Sequence, residues 1–218
     1  MFRRVVIEDG NALYQARLDR YIAGGDVPIS ELQAVWRNTT QPGRADMTWH
    51  RQLLEAIRRV NQGLAPAQGV RVLAGDPPID WSRMRTAADV APFMESRDTH
   101  FASVVIDSVL AKHETALLVI GSGHVMRHGP TYAGIDTQRA PTVTNLVEAR
   151  LPHAVYVITP HEDFGARTAE LEARLATWPR PGLCDLRGSW VGAIDASLVY
   201  TGKTIRVGMQ RRSPGVSR

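Results

Sequence analysis

Cysteine, lysine and long apolar runs are scarce in this 218-residue chain, and each scarcity excludes a class of protein. The single cysteine, Cys184, rules out an intrachain disulfide and a Cys-x-x-Cys site, and its turn-like Pro-Gly-Leu-Cys-Asp setting predicts a structural or incidental role. No stretch approaches the roughly 18 consecutive apolar residues that a membrane-spanning helix needs. The short apolar run near Met1 meets acid at Glu8, which is not typical of a signal peptide. We therefore expect a cytoplasmic protein without a membrane span, exported only if a missing upstream segment carries a signal peptide.

The basic charge is concentrated at the two ends of the chain. The formal net charge is +4, and five arginines in the tails at about residues 1–4 and 209–218 account for the excess. The body that remains holds 21 basic and 22 acidic residues. Because no basic stripe runs through this body, we expect no nucleic-acid partner. Only Lys112 and Lys203 are lysines, which indicates a GC-rich coding bias rather than selection for phosphate binding.

Hydrophobic patterning predicts a single α/β domain over residues 1–218. With 44% apolar and 22% charged residues, the chain has the composition of a well-buried globular protein. Short β-branched runs alternate with amphipathic segments; the runs are Arg4–Glu8, Val70–Asp76, Ala116–His124 and Ala154–Pro160. Three of the four are almost continuously apolar, which predicts strands of a mainly parallel sheet, buried on both faces and flanked by helices. The pattern from Val191 to Gly208 predicts a short β-rich C-terminal end.

Apolar residues at helical spacing predict five helices. They are expected at about residues 14–22, after Pro28, at 49–60, at 97–113 and at 171–178, the fourth being the longest. The first is expected to stop at Gly24-Gly25, and the apolar face of the third ends with Val60. The regions 75–92 and 126–141 are predicted to be long functional loops.

Polar residues follow each of the predicted strands. The first strand ends in Glu8 and Asp9, the second in Asp76, the third in His124, and the fourth near His161. Because ligands bind beyond the carboxyl ends of strands in an open parallel sheet, two acids and two histidines at one rim predict a general acid–base or metal site. Asp76 and His161 are the candidates for holding a cofactor. The alternative is that these residues only cap helices and satisfy loops at a wet edge.

The segment Val119–His124, with the sequence Val-Ile-Gly-Ser-Gly-His, carries the most information. Its glycines allow a tight turn after a buried strand and place the imidazole of His124 at the sheet rim. A dinucleotide-binding loop would need glycine at Met126, and a nucleophile elbow would not have glycine directly on both sides of Ser122. Gly202-Lys203-Thr204 is similar to the end of a phosphate-binding loop, but a strand-like run follows it instead of a helix. The His-Glu-x-x-His motif is absent.

Arg97 opens the predicted fourth helix in the stretch Glu95-Ser-Arg-Asp-Thr-His. A helix N-terminus attracts anions, and an arginine beside it would strengthen such a site. The alternative is that Arg97 pairs with Glu95 or Asp98 at the surface, and the sequence leaves both interpretations open.

Several of these segments together resemble a known superfamily. They are Arg97-Asp98 at a helix start, Gly121–His124 after a strand, Val6–Glu8 as a strand with its acid, and Asp195–Gly202 as a closing strand. The pattern resembles the signature shared by the ChaN-like haem-binding uptake proteins, the Tiki/TraB proteins and the erythromycin esterases. The resemblance implies an α/β fold with Glu8, Arg97 and His124 as catalytic residues.

The branches of this superfamily imply different chemistries. The esterase branch implies hydrolysis, in which a histidine activates water while an acid and an arginine orient it and stabilise charge. The Tiki branch is linked with a metal-dependent peptidase, and the ChaN branch with haem binding. We therefore expect a protein derived from a hydrolase of ester- or amide-like bonds in a small molecule or peptide. The alternative is a non-catalytic module that binds haem or a divalent metal.

One departure from the superfamily pattern lowers the expected activity. A Gly-Glu-x-His motif normally precedes the strand matched by Val5–Glu8, and this sequence has none there. We expect either an N-terminally truncated product or a member that has lost its first histidine. A missing general base costs a factor of about 10² to 10⁴ in rate. A third possibility is a fragment that is stable only with a partner on the edge of its first strand, or as a homo-oligomer.

Overall fold

The computed structural model describes residues 2–41, 48–125, 141–160, 173, 182–185 and 204–208. Its strands are β1 (Arg4–Asn11), β2 (Arg71–Asp76), β3 (Ala116–Val119), β4 (Val157–Pro160), β5 (Gly182–Asp185) and β6 (Thr204–Gly208). Its helices are α1 (Gln15–Ile22), α2 (Ile29–Leu32), α3 (Ala34–Arg37), α4 (Trp49–Gln62), α5 (Ala87–Glu95), α6 (Arg97–Ser108) and α7 (Val143–Arg150). This alternation of strands and helices confirms the α/β class.

The main sheet is parallel and has β1 at its centre, in the order β2-β1-β3. Val6 of β1 lies opposite Leu73 of β2 and Leu118 of β3. The register with β2 shifts between Ile7 and Asn11, as in a β-bulge, and such irregularities are common beside active sites. Because all three strands run the same way, their carboxyl ends meet at one edge of the sheet.

Each face of the main sheet carries its own core. One cluster joins β1 and β2 to α1, α3 and α4; it includes Val5, Ile7, Leu18, Ile22, Val35, Trp36, Leu54, Ile57 and Val72. The other joins the same strands to α6 and α7; it includes Val6, Leu73, Phe101, Ala102, Val105, Val109, Val143 and Val147. Successive residues of β1 therefore alternate between the two cores, as the pleat of a strand requires.

The second sheet has the order β4-β6-β5, with β4 parallel and β5 antiparallel to β6. It confirms a strand at 204–208, but Cys184 lies in β5 and not in the turn that was expected. The helix expected at 171–178, the strands expected between Val191 and Tyr200, and the basic tail at 209–218 fall outside the described residues, apart from position 173. At the other end, Arg4 belongs to β1, and its Nε lies 2.7 Å from Glu114 Oε2.

Four expectations about helices and burial were wrong. The region 75–92 is not one loop, since it contains the start of α5, whose N-terminus is closed by a capping box between Thr86 and Asp89. No residue of α5 is buried, so the sequence has no apolar stripe there from which the helix could be predicted. The longest described helix is α4 rather than α6, and Val60 on α4 is 48% exposed. The apolar run of β3 is not buried on both faces, because Leu117 is 47% exposed.

The helix expected after Pro28 is divided in two, as α2 and α3. Leu32, Val35 and Trp36 nevertheless face the core as expected. None of the described helices is both long and apolar enough to cross a membrane.

Candidate active site

Four of the residues predicted at the sheet rim come together at its carboxyl edge. Glu8 lies on β1, Asp76 ends β2, His124 follows β3 in a short 3-10 turn, and Arg97 opens α6. All four line one small cavity. The fifth, His161, lies outside the described residues.

Arg97 joins the carboxylates of two strands. Its Nη2 donates to Glu8 Oε1 at 2.7 Å, and its Nε lies 3.4 Å from Asp76 Oδ1. The Arg97 side chain is 12% exposed. Neither expected surface partner, Glu95 or Asp98, is the one it contacts. The guanidinium is therefore occupied by protein carboxylates, which argues against the anion-binding role considered for it.

Glu8 is held from three directions. Its Oε1 faces Arg97, while its Oε2 accepts the backbone N–H of Gly121 at 2.5 Å. Burial alone would raise the pKa of Glu8, but hydrogen bonds from His124 and Gly121, with the charges of His124 and Arg97, lower it to about 2. Glu8 is therefore an anion at every physiological pH.

The imidazole of His124 lies between two carboxylates. Its Nδ1 is 2.5 Å from Asp98 Oδ1, and its Nε2 is 3.4 Å from Glu8 Oε1. The hydrogen bonds to Asp98 and Glu8 raise the pKa of His124 to about 9, although burial opposes the shift. At neutral pH the ring is an imidazolium that donates from both nitrogens.

Asp98 is a site residue whose role sequence reasoning missed. The sequence named Asp98 as a surface partner for Arg97 and as part of the Arg97-Asp98 motif but gave it no role in the site, yet it fixes the ring of His124 from the first turn of α6. Because Arg97 and Asp98 are consecutive, one helix start supplies the partners of both Glu8 and His124. The adjacency of an arginine and an aspartate was the available signal, but the sequence does not show which partner each would meet.

Asp76 is clamped by Thr40, another residue that the sequence did not reveal. Thr40 donates its backbone N–H to Asp76 Oδ2 and its hydroxyl to Asp76 Oδ1, both at 2.6 Å. Burial raises the pKa of Asp76 even though the hydrogen bonds from Thr40 and the charge of Arg97 oppose that shift. A cofactor-binding role for Asp76 stays a prediction.

The cavity enclosed by these groups is small, about 10 Å³, which is room for the centre of about one water molecule. Phe101 and Ile120 provide its apolar lining. Gly75 also lines it, and a Cβ there would come within 2.3 Å of the Phe101 ring, so only glycine fits. Among the described residues, no three histidine, cysteine, aspartate or glutamate side chains form a group suited to a metal ion.

Asp9, the other acid at the end of the first strand, does not join this site. Its Oδ2 lies 3.1 Å from His50 Nε2, and both residues are buried on the opposite face of the sheet. The His50 ring is stacked against Trp36 and Trp49, with centroids 5.9 and 3.9 Å away. Of the two acids at the end of the first strand, only Glu8 therefore belongs to the site at the sheet rim.

Comparison with known proteins adds nothing to this geometry. The chain matches no protein-family model, no curated protein and no solved structure. The resemblance to the ChaN, Tiki and erythromycin-esterase proteins stays a prediction from short motifs, and the function has to be argued from the site.

Proposed function

We propose that the rim is the active site of a hydrolase for ester- or amide-like bonds, with His124 as the group that transfers protons. The observation that carries the proposal is the line Asp98–His124–Glu8, in which Nδ1 of His124 is hydrogen-bonded to Asp98 and Nε2 lies 3.4 Å from Glu8, beside a cavity of water size. Asp98 fixes Nδ1 of His124, whereas Nε2 is in the longer contact beside the cavity, so Nε2 is the nitrogen that can exchange its partner for a substrate atom in general acid–base catalysis.

The charge of His124 decides the direction of the first proton transfer. As an imidazolium, its Nε2 donates a proton to the departing oxygen or nitrogen while water adds to the carbonyl carbon and the bond to the leaving group breaks. The neutral ring then accepts the proton that the added water gives up, which restores the imidazolium. This order differs from the resemblance-based expectation that a histidine first activates the water, because a pKa of about 9 leaves little neutral imidazole at pH 7.

Arg97 and Glu8 act on the histidine and not directly on the substrate in this proposal. Arg97 neutralises and orients Glu8, and Glu8 together with Asp98 keeps His124 charged. Preorganised charges of this kind hold the proton donor in place without having to rearrange during the reaction.

Binding of haem or a divalent metal at His124, the alternative raised by the sequence, fits the described residues less well. A metal ligand needs a neutral imidazole nitrogen with a free lone pair, whereas both nitrogens of His124 face carboxylate oxygens. The cavity of about 10 Å³ is also far smaller than a haem. We therefore derive no step through either group.

The test is hydrolysis of p-nitrophenyl acetate and of acetyl-alanine p-nitroanilide by the full chain. We expect His124→Ala to lower the rate by at least about 100-fold, since it removes the acid–base group. His153→Asn is the matched control, because His153 is exposed and has a φ of 60°, a conformation that asparagine tolerates. Equal rates for wild type and His124→Ala, or no hydrolysis of either compound by the wild type, would overturn the proposal.

A further inference from the structure

We propose that Thr40 is a positioning residue of the hydrolytic site, which orients the guanidinium of Arg97 by clamping Asp76. This inference rests on the proposed function. Thr40 lies just after α3, 36 positions before Asp76 in the sequence, and no motif links the two. Their hydrogen bonds are nonetheless the shortest described for the Asp76 carboxylate, at 2.6 Å each.

The clamp fixes both oxygens of one carboxylate. The backbone N–H of Thr40 holds Oδ2 and its hydroxyl holds Oδ1, so the carboxylate plane of Asp76 cannot turn without breaking a bond. In this orientation Oδ1 is also the atom that faces Arg97 Nε at 3.4 Å. The other end of the guanidinium then reaches Glu8.

The segment that carries Thr40 is anchored independently of Asp76. Asn11, at the end of β1, donates from Nδ2 to the carbonyl of Asn38 at 2.6 Å. The indole N–H of Trp81 is shared between the carbonyls of Asn38 and Thr39, at 3.1 Å from each. The segment therefore does not depend on Asp76 for its position, and the hydroxyl of Thr40 is free to hold the carboxylate in place.

The hydrogen bonds from Thr40 also lower the pKa of Asp76, against the larger effect of burial, and so favour the ionised carboxylate. Asp76 and Thr40 are both buried, and the charged group that faces the carboxylate is Arg97, with Glu8 beyond it and His124 next to Glu8. A buried carboxylate that loses a hydrogen-bond donor becomes easier to protonate. Protonation would remove the counter-charge on one side of Arg97, and the guanidinium would no longer be held between two anions.

The experiment follows the Asp76 carboxyl by ¹³C NMR titration in Thr40→Val, which keeps the shape and the backbone N–H but removes the hydroxyl. We expect the pKa of Asp76 to rise by about one unit, the effect of losing one hydrogen bond to a charged group. Thr40→Ser should restore the wild-type value. If Thr40→Val does not fold, Thr40→Ala removes the same hydroxyl without adding a methyl group and gives the same measurement.

Thr39→Val is the matched control, because Thr39 is buried in the same segment and its hydroxyl accepts only from the Gln41 backbone N–H among the described contacts. In the hydrolysis assay, the acid-side fall of kcat in Thr40→Val should move to higher pH by the same amount, with KM changed by less than about twofold. A merely structural role would lower activity equally at every pH.

The two proposals fail in different ways. An Asp76 shift in Thr40→Val without hydrolysis by any variant would support the clamp and overturn the hydrolase. An unchanged Asp76 titration in Thr40→Val, or an equal shift in Thr39→Val, would overturn the role of Thr40 whether or not the protein hydrolyses either compound.

Discussion

Two consecutive acids of β1, Glu8 and Asp9, each face a histidine, but on opposite faces of the sheet. Glu8 faces His124 within a network of charges that includes Arg97, at the edge of a cavity. Asp9 faces His50, whose ring is stacked against aromatic neighbours. Two adjacent residues of β1 thus each form an acid–histidine pair, and the two pairs lie in different environments.

The comparison shows why a histidine–carboxylate pair is not in itself a catalytic site. The His124 side chain is 26% exposed and lines the cavity, whereas that of His50 is 2% exposed and stacked against two tryptophan rings. A proton-transferring group has to reach the reacting atoms, and only the first pair can do so. We therefore assign chemistry to the Glu8 pair and a packing role to the Asp9 pair.

Removing Arg97, the cation in the network around the Glu8–His124 pair, should have the largest effect on the free energy of unfolding. Arg97→Leu would leave Glu8 and Asp76 buried without their counter-charge, and we expect a loss of about 3–5 kcal/mol in the free energy of unfolding. Urea unfolding at pH 7 measures this loss. Arg83→Leu is the control, since Arg83 pairs only with Asp80 at an exposed position and should change little. A comparably small effect for Arg97→Leu would mean that the network is not stabilising.

The second pair should respond as a packing element. His50→Ala would remove a stacked ring and leave Asp9 buried without this partner, at an expected cost of about 2–4 kcal/mol in unfolding free energy. The fraction of His50→Ala that still folds should hydrolyse substrate at the wild-type rate per molecule, because the His50 ring lies on the face of the sheet opposite the site. Urea unfolding combined with the p-nitrophenyl acetate assay checks both. A loss of turnover per folded molecule in His50→Ala would contradict the assignment of His50 to packing.

The pH dependence of stability should sharpen the contrast further. The pKa of His124 is raised from 6.5 to about 9 in the folded chain, so the folded state binds the extra proton between these values. The stabilisation is therefore fully present below about pH 6.5 and is lost as the pH rises through 9, with a total of about 3 kcal/mol. On the acid side, the depressed pKa of Glu8 gives a contribution present above pH 4.5 and lost as the pH falls towards 2.

Asp98 makes the largest contribution to the raised pKa of His124, but the two pH effects share the Glu8–His124 interaction and are therefore not to be added. Urea unfolding at a series of pH values should show a decline between pH 6.5 and 9 in wild type that is absent in His124→Ala. A decline that survives in His124→Ala would assign it to another group.

The smallest expected effect lies in the glycines of the turn after β3. A Cβ at Gly121 would lie 3.1 Å from Glu8 Oε2, whereas one at Gly123 would meet nothing within 4 Å. We expect Gly121→Ala to cost about 1 kcal/mol, because it displaces the Glu8 carboxylate, and Gly123→Ala to change stability by less than about 0.5 kcal/mol. Thermal unfolding of the two variants side by side gives the difference, and equal values would contradict the close fit around Glu8.

The sequence predicted which residues reach the rim but not how they pair. Parallel strands bring their carboxyl ends to one edge, so Glu8, Asp76 and His124 could be placed together from strand ends alone. The partners could not be predicted, because the Arg97–Glu8 contact joins positions 89 residues apart and geometry decides it. The opposite orientation of Asp9, by contrast, follows from the alternation of side chains along a strand and was missed.

The central position of β1 has a consequence for how the protein folds. The first strand of the chain pairs on one side with β2 and on the other with β3, and the Glu8–Gly121 hydrogen bond spans 113 residues. Chains dominated by such distant contacts fold slowly, because long loops must close before the contacts can form. We therefore expect the Glu8–His124 pair to form late in refolding, and the ionisation state of the histidine would report when it has formed.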